Sequence, residues 1–109
     1  MDAAERRRTP RYSFVAAAEV IEETSGAKLP TRVSEFSLNG CYLDLTNPLP
    51  KGTSVQVKIY TDKEFFEAPG IVVYSHPHLG MGVEFREVKP FFQAVLKKWL
   101  LAAMVGKSS

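Results

Sequence analysis

From Ser54 to Tyr60 the chain alternates without a break. Val55, Val57 and Ile59 fall on one side, Gln56 and Lys58 on the other. Cys41, Leu43 and Leu45 alternate with Tyr42 and Asp44, and Met81, Val83 and Phe85 alternate with Gly82, Glu84 and Arg86. A period of two predicts strands with one buried and one wet face, the pattern of antiparallel sheets. Three less regular stretches rich in β-branched and aromatic residues, Tyr12 to Glu22, Lys28 to Phe36 and Phe65 to Ser75, predict three more strands. Turn-forming residues separate them: Thr24-Ser25-Gly26, Leu38-Asn39-Gly40, Asn47 to Gly52, Thr61-Asp62-Lys63 and His76 to Gly80. Six short strands at this spacing predict a six-stranded antiparallel β-barrel, since closure removes the exposed edges of so small a sheet.

After Lys89 the period changes. Phe92, Val95, Leu96, Trp99, Leu100 and Ala103 recur at three- and four-residue steps, one apolar stripe on a helix. Pro90 suits the first turn, Lys97 and Lys98 lie on the wet side, and Gly106 marks a stop. The stripe predicts a helix over 90–105 that covers one end of the barrel or pairs with a second chain. The 109 residues are therefore expected to be a single domain: an arm over 1–11, a barrel over 12–86 and the helix. Phe65-Phe66 stands out as a pair expected to be exposed, a possible contact patch.

Composition changes this picture little, and charge changes it at one point. Hydrophobic residues at 45% and charged residues at 24% fit an ordinary globular chain. No apolar run is long enough to span a membrane, and the charged N-terminus does not resemble a secretory signal. Cys41 is the only cysteine, which excludes an internal disulfide and agrees with a reducing, cytoplasmic setting. The net charge is +2, and all of it sits at the start: the first eleven residues hold Arg6, Arg7, Arg8 and Arg11 against Asp2 and Glu5, and the remainder balances. A neutral body with an arginine arm argues against binding a polyanion over its whole surface and favours a local anion contact.

Catalysis is hard to assemble from this chain. His76 and His78 flank Pro77 in one turn, but further ligands for a metal are missing. Cys41 alternates inward with Leu43 and Leu45, as a core thiol does. There is no glycine-rich phosphate loop of the nucleotide-hydrolase kind. These residues point away from an enzyme, and neither cofactor nor metal is expected.

Two constellations remain. Arg6-Arg7-Arg8-Thr9-Pro10-Arg11 leads into the first strand, and Ser34-Glu35-Phe36-Ser37-Leu38-Asn39-Gly40 forms the turn between strands two and three. In this order and spacing they resemble the two signature motifs of PilZ domains, an RxxxR often preceded by another Arg, then [D/N]xSxxG. Arg7 and Arg11 match the first pair and Arg6 the extra arginine, while Arg8 has no counterpart. Ser37 and Gly40 match the second motif, with Glu35 where Asp or Asn is usual. The resemblance runs from about Arg6 to Arg86, including the Leu49 to Gly52 turn and the Gly-Val-Glu-Phe of residues 82–85.

The resemblance implies a ligand, cyclic di-GMP, with Arg6, Arg7, Arg11, Glu35, Ser37 and Gly40 as its site. Arginine suits such a ligand, because its planar fork bonds bidentately to guanine O6 and N7 or to phosphate and stacks on the purine face. A side chain at position 35 can accept from guanine N–H groups, Ser37 can donate to a phosphate or shape the turn, and Gly40 allows a positive φ or close backbone approach to the ligand. Glu35 keeps the acceptor and adds a methylene with one more rotor to freeze. Binding would order the arm and change the surface shown to a downstream protein, in a monomer or homodimer. The alternative within the same fold is a divergent adaptor for pilus or motility regulation that acts through protein contacts without the dinucleotide. A barrel binding RNA or single-stranded DNA would need aromatic platforms interleaved with a basic groove. The neutral body and mostly inward aromatics disfavour that, so no nucleic-acid polymer and no membrane are expected as partners.

Overall fold

The alternating residues close around one core. Val55, Val57 and Ile59 of the most regular segment are fully buried, as are Val20, Val33, Phe36, Leu43, Phe66 and Met81. The computed structural model describes residues 12–108, with side chains over 15–104. Its strands are β1 (Tyr12–Glu22), β2 (Lys28–Phe36), β3 (Gly40–Asp44), β4 (Ser54–Tyr60), β5 (Phe65–His76) and β6 (Gly80–Phe85), followed by helix α1 (Pro90–Ser108).

All neighbours pair antiparallel in the order β1-β2-β3-β6-β5-β4, and β4 returns to β1. The barrel is closed, so no strand among them is left with an unpaired edge. The expected fold, a six-stranded antiparallel barrel with one C-terminal helix, is the observed one.

The stripe of α1 faces the barrel. Val95, Leu96, Trp99 and Leu100 are buried, and the Trp99 ring meets Phe36 edge-on at 6.3 Å and lies 6.3 Å from Phe66. Phe36 ends β2 and Phe66 is the second residue of β5, so the helix plugs the barrel end that also carries the β2–β3 hairpin. Glu64, between β4 and β5, accepts a hydrogen bond from the Trp99 indole at 3.0 Å and pairs with Lys98 at 3.4 Å. The helix begins at Pro90 as expected but runs through Gly106 to Ser108. A glycine in a helix costs only about 1 kcal/mol, which permits a stop without enforcing one. Among the described residues no helix is long and apolar enough to cross a membrane.

Candidate functional site

Strict alternation along β2 fails where the chemistry lies. Val33 and Phe36 are both fully buried although three residues apart, which a period of two cannot produce. The register explains it. On the β3 side Val33 pairs with Leu43 and Glu35 with Tyr42, leaving Ser34 as an extra residue, a β-bulge. On the other side Ser13 pairs with Glu35 and Ala16 with Val33, so β1 carries its own extra residue opposite Ser34. A bulge shifts the phase by one and re-aims a side chain. Here it places Ser34 and Glu35, both half-buried, between two core residues. Without the bulge Glu35 would share the inward face with Val33.

The bulge is held from β3. Asp44, paired with Arg32, accepts from Ser34 Oγ on Oδ1 at 3.1 Å and from the Arg32 guanidinium on Oδ2 at 3.1 and 3.3 Å. The Asp44 backbone carbonyl also accepts from Thr31 Oγ1. Both Arg32 contacts converge on one oxygen and the Arg32 side chain is 63% exposed, so the ion pair adds at most about 1 kcal/mol to stability.

Past the bulge the chain makes the tight hairpin Ser37–Gly40. The Ser37 backbone N–H donates to the Gly40 carbonyl at 2.8 Å, and the buried Ser37 hydroxyl accepts from the Asn39 N–H at 3.2 Å. Ser37 therefore shapes the turn, one of its two expected roles. Gly40 does not take a positive φ. Its lack of a side chain answers to packing: a Cβ there would lie 2.2 Å from the Val83 carbonyl oxygen of β6. The close approach that glycine permits is between two strands of the barrel. Phe85 N–H donates to the Asn39 carbonyl at 2.7 Å and fastens the hairpin tip to β6.

Glu35 is one position of a cross-strand row. Ser13 pairs with Glu35, Glu35 with Tyr42, Tyr42 with Gly82 and Gly82 with Tyr74, so the row crosses β1, β2, β3, β6 and β5. Gly82 is its floor, since a Cβ there would strike the Tyr74 ring at 2.4 Å. Over it the Tyr42 and Tyr74 rings stack at 6.1 Å and 29°, and His76 lies 5.2 Å from Tyr74. The Tyr42 hydroxyl is hydrogen-bonded to His76 Nδ1 at 3.2 Å. Burial pushes the Tyr42 phenol above its ordinary range, and Tyr74, Asp44 and Glu35 add to the rise, so it remains a neutral phenol. This outward ring cluster is absent from the expected site; the aromatic at position 74 follows an extra residue, Val73, in β5 that alternation does not reveal.

A depression of about 130 Å³ lies beside the row, lined by Ser37, Asn39, Gly40, Tyr74, Gly82 and Glu84 among others. A second hollow of about 230 Å³ separates the hairpin tip, Leu38 and Asn39, from Val88 and the α1 residues Gln93, Leu96 and Lys97.

Of the expected site residues, Glu35, Ser37 and Gly40 lie together around the hairpin; Arg6, Arg7 and Arg11 lie outside the described residues. Tyr12, bonded to Arg11 in the chain, pairs with Phe36, immediately before Ser37. The expected exposed pair Phe65-Phe66 is corrected: Phe66 is fully buried, and Phe65, 43% exposed, leans on Phe92 at 5.5 Å. The two residues alternate across β5, so one must point inward. Cys41 is buried, and burial pushes its thiol up to about 12, which disfavours the thiolate a nucleophile requires. Among the described residues no three metal-ligating side chains cluster.

The family model of the PilZ domain matches residues 5–102. The chain belongs to the PilZ domain family. Solved structures share its fold: the inhibitor of motility MotI/DgrA from Bacillus subtilis superposes with a TM-score of 0.76 at 19% identity, over 95% of this chain and 54% of that one. The PilZ domain of Escherichia coli YcgR, solved with c-di-GMP, gives 0.75 at 15% identity over 94% of each chain. YcgR in complex with c-di-GMP gives 0.78 at 17%, over 94% of this chain and 48% of that one. The chain thus spans about half the length of MotI and of YcgR. No curated protein sequence matches it. At these identities the superpositions establish the PilZ fold.

Proposed function

We propose that this PilZ domain is a receptor for cyclic di-GMP, held between the arginines of residues 6–11 and the outer barrel face around Glu35, Ser37 and Gly40. The observation that carries the reading is the pairing of Tyr12 with Phe36 and of Ser13 with Glu35. Tyr12 directly follows Arg11 in the sequence, so this pairing supports a reading in which the arginine segment, RxxxR, meets the second motif. The two YcgR structures with c-di-GMP, which share this fold, support the ligand.

The size of the depression supports a closing arm. At about 130 Å³ it falls below the roughly 300 Å³ of a usual small-molecule pocket and cannot enclose a dinucleotide. A dinucleotide lying there needs cover from elsewhere. Arginine forks supply it by bonding guanine edges or phosphates while stacking on a base. Glu35 accepts guanine N–H groups, and the flat Tyr42–Tyr74 surface offers a face for a base to lie on. Ordering the arm would then alter what the domain shows to a downstream protein, which makes the chain a switch and not a catalyst.

Titration calorimetry with cyclic di-GMP tests the reading. Saturable heat is expected from the wild type, and an Arg7→Ala, Arg11→Ala double variant should bind at least roughly a hundredfold more weakly, since each charge-assisted bond contributes about 1.5–3 kcal/mol. Unchanged heat in that variant would sink the proposal. Glu35 favours one competing reading, a divergent adaptor that has lost the dinucleotide. It predicts no binding by the wild type and recovery in Glu35→Asp.

A further inference from the structure

We propose that Asp44 is a positioning residue for the ligand site, acting through the Ser34 bulge to hold Glu35 in the row with Tyr42; the inference rests on the receptor reading. Position 35 carries its acceptor outward only because the phase of β2 slips at Ser34. A bulge leaves its extra residue out of the ladder, so side-chain contacts from the neighbouring strand help to fix where it sits. Asp44 supplies such contacts from β3 with both oxygens: Oδ1 takes the Ser34 hydroxyl at 3.1 Å and Oδ2 the Arg32 guanidinium at 3.1 Å. The two oxygens thus bind the residues on either side of Val33, whose own side chain is fully buried in the core. A slip of the bulge by one residue would have to break the Ser34 bond and pull Val33 or Phe36 out of the barrel. Asp44 lies two residues beyond Tyr42 on the same face of β3, so one short segment presents both the neighbour of Glu35 and the clamp on its strand.

The clamp predicts a pattern that simple loss of stability does not. Ser34→Ala and Asp44→Ala should each weaken cyclic di-GMP binding roughly five- to tenfold, because a loosened supporting shell leaves Glu35 misplaced. Asp44→Asn keeps an acceptor for Ser34 and should bind within about twofold of wild type. In a Glu35→Ala background the Asp44→Ala penalty should vanish, since nothing remains to position. An undiminished penalty in that background, or an Asn variant as weak as the Ala variant, overturns the proposal. A ligand-free readout separates it from the receptor reading: cross-strand NOEs between Glu35 and Tyr42 should persist in wild type and Asp44→Asn and weaken in Asp44→Ala and Ser34→Ala. If the wild type binds no cyclic di-GMP, the receptor reading fails, and unchanged NOEs in all four proteins would overturn the clamp independently.

Discussion

Two glycines in neighbouring strands do different work. A side chain on Gly40 would meet the Val83 carbonyl oxygen at 2.2 Å, and backbone in the middle of a ladder can yield only by parting the strands. A side chain on Gly82 would meet the far edge of the Tyr74 ring at 2.4 Å, and that ring can swing. Gly40→Ala should therefore lower stability by about 3 kcal/mol and Gly82→Ala by about 1 kcal/mol, read as urea midpoints at constant slope. Gly82→Ala should also change the near-ultraviolet circular dichroism, because Tyr74 can no longer lie against Tyr42. Equal midpoint losses would mean that the tyrosine is as rigid as the barrel. Cys41 supplies a test through pH. Its thiol is pushed from 9.0 to about 12 by burial, so the folded chain holds a proton that the unfolded chain releases above about pH 9. The associated stability is complete below pH 9 and declines between pH 9 and about 12, by about 1.4 kcal/mol per pH unit. Relative to Cys41→Ala, the wild type should lose stability with that slope in alkaline solution. Parallel curves would show that the thiol is not shielded.

At the scale of elements, the β4–β5 turn is joined to the helix through one carboxylate. Glu64 accepts the part-buried Trp99 indole N–H at 3.0 Å and also meets Lys98, whose side chain is 71% exposed. The first bond is sheltered and the second is in water, so the two should differ in worth. Glu64→Ala should cost about 1–3 kcal/mol by removing the indole's acceptor, and Lys98→Ala less than about 0.5 kcal/mol. Thermal melts followed by tryptophan emission would show this, and equal costs would count against it. The strands and this helix were legible in the sequence because alternation and the three-to-four step each reflect a face buried along a whole element. The outward placement of Glu35 was not. It depends on an extra residue at Ser34 and on compensation in β1, which are properties of pairing between strands and leave no mark on a single segment. Tyr74 was missed for the same reason, since the slip at Val73 hides it. Ser37 and Gly40 were found by motif spacing, yet their roles needed the structure: Ser37 builds the hairpin and Gly40 admits β6.

At the scale of the whole molecule, the receptor reading divides the labour of binding between charge and shape. The body carries no net charge and the first eleven residues carry all of the +2 excess, so the long-range attraction for an anionic ligand comes from the arm alone. Under the same reading the depression on the barrel would supply contact but too little volume to enclose a dinucleotide. Under the receptor reading, arginines that touch the ligand and an arginine that only contributes field should then separate kinetically. Arg7 matches the family motif and Arg8 does not. Arg8→Ala should slow association about two- to threefold at low salt, with the difference closing near roughly 0.5 M salt as screening shortens to a few ångströms, and should leave dissociation unchanged. Arg7→Ala should speed dissociation at least about tenfold, because it removes bonds made in the complex. Stopped-flow measurements over a salt series distinguish the two. If Arg8→Ala instead accelerates dissociation, Arg8 touches the ligand, and the arm binds through a different set of arginines from the one its motif indicates.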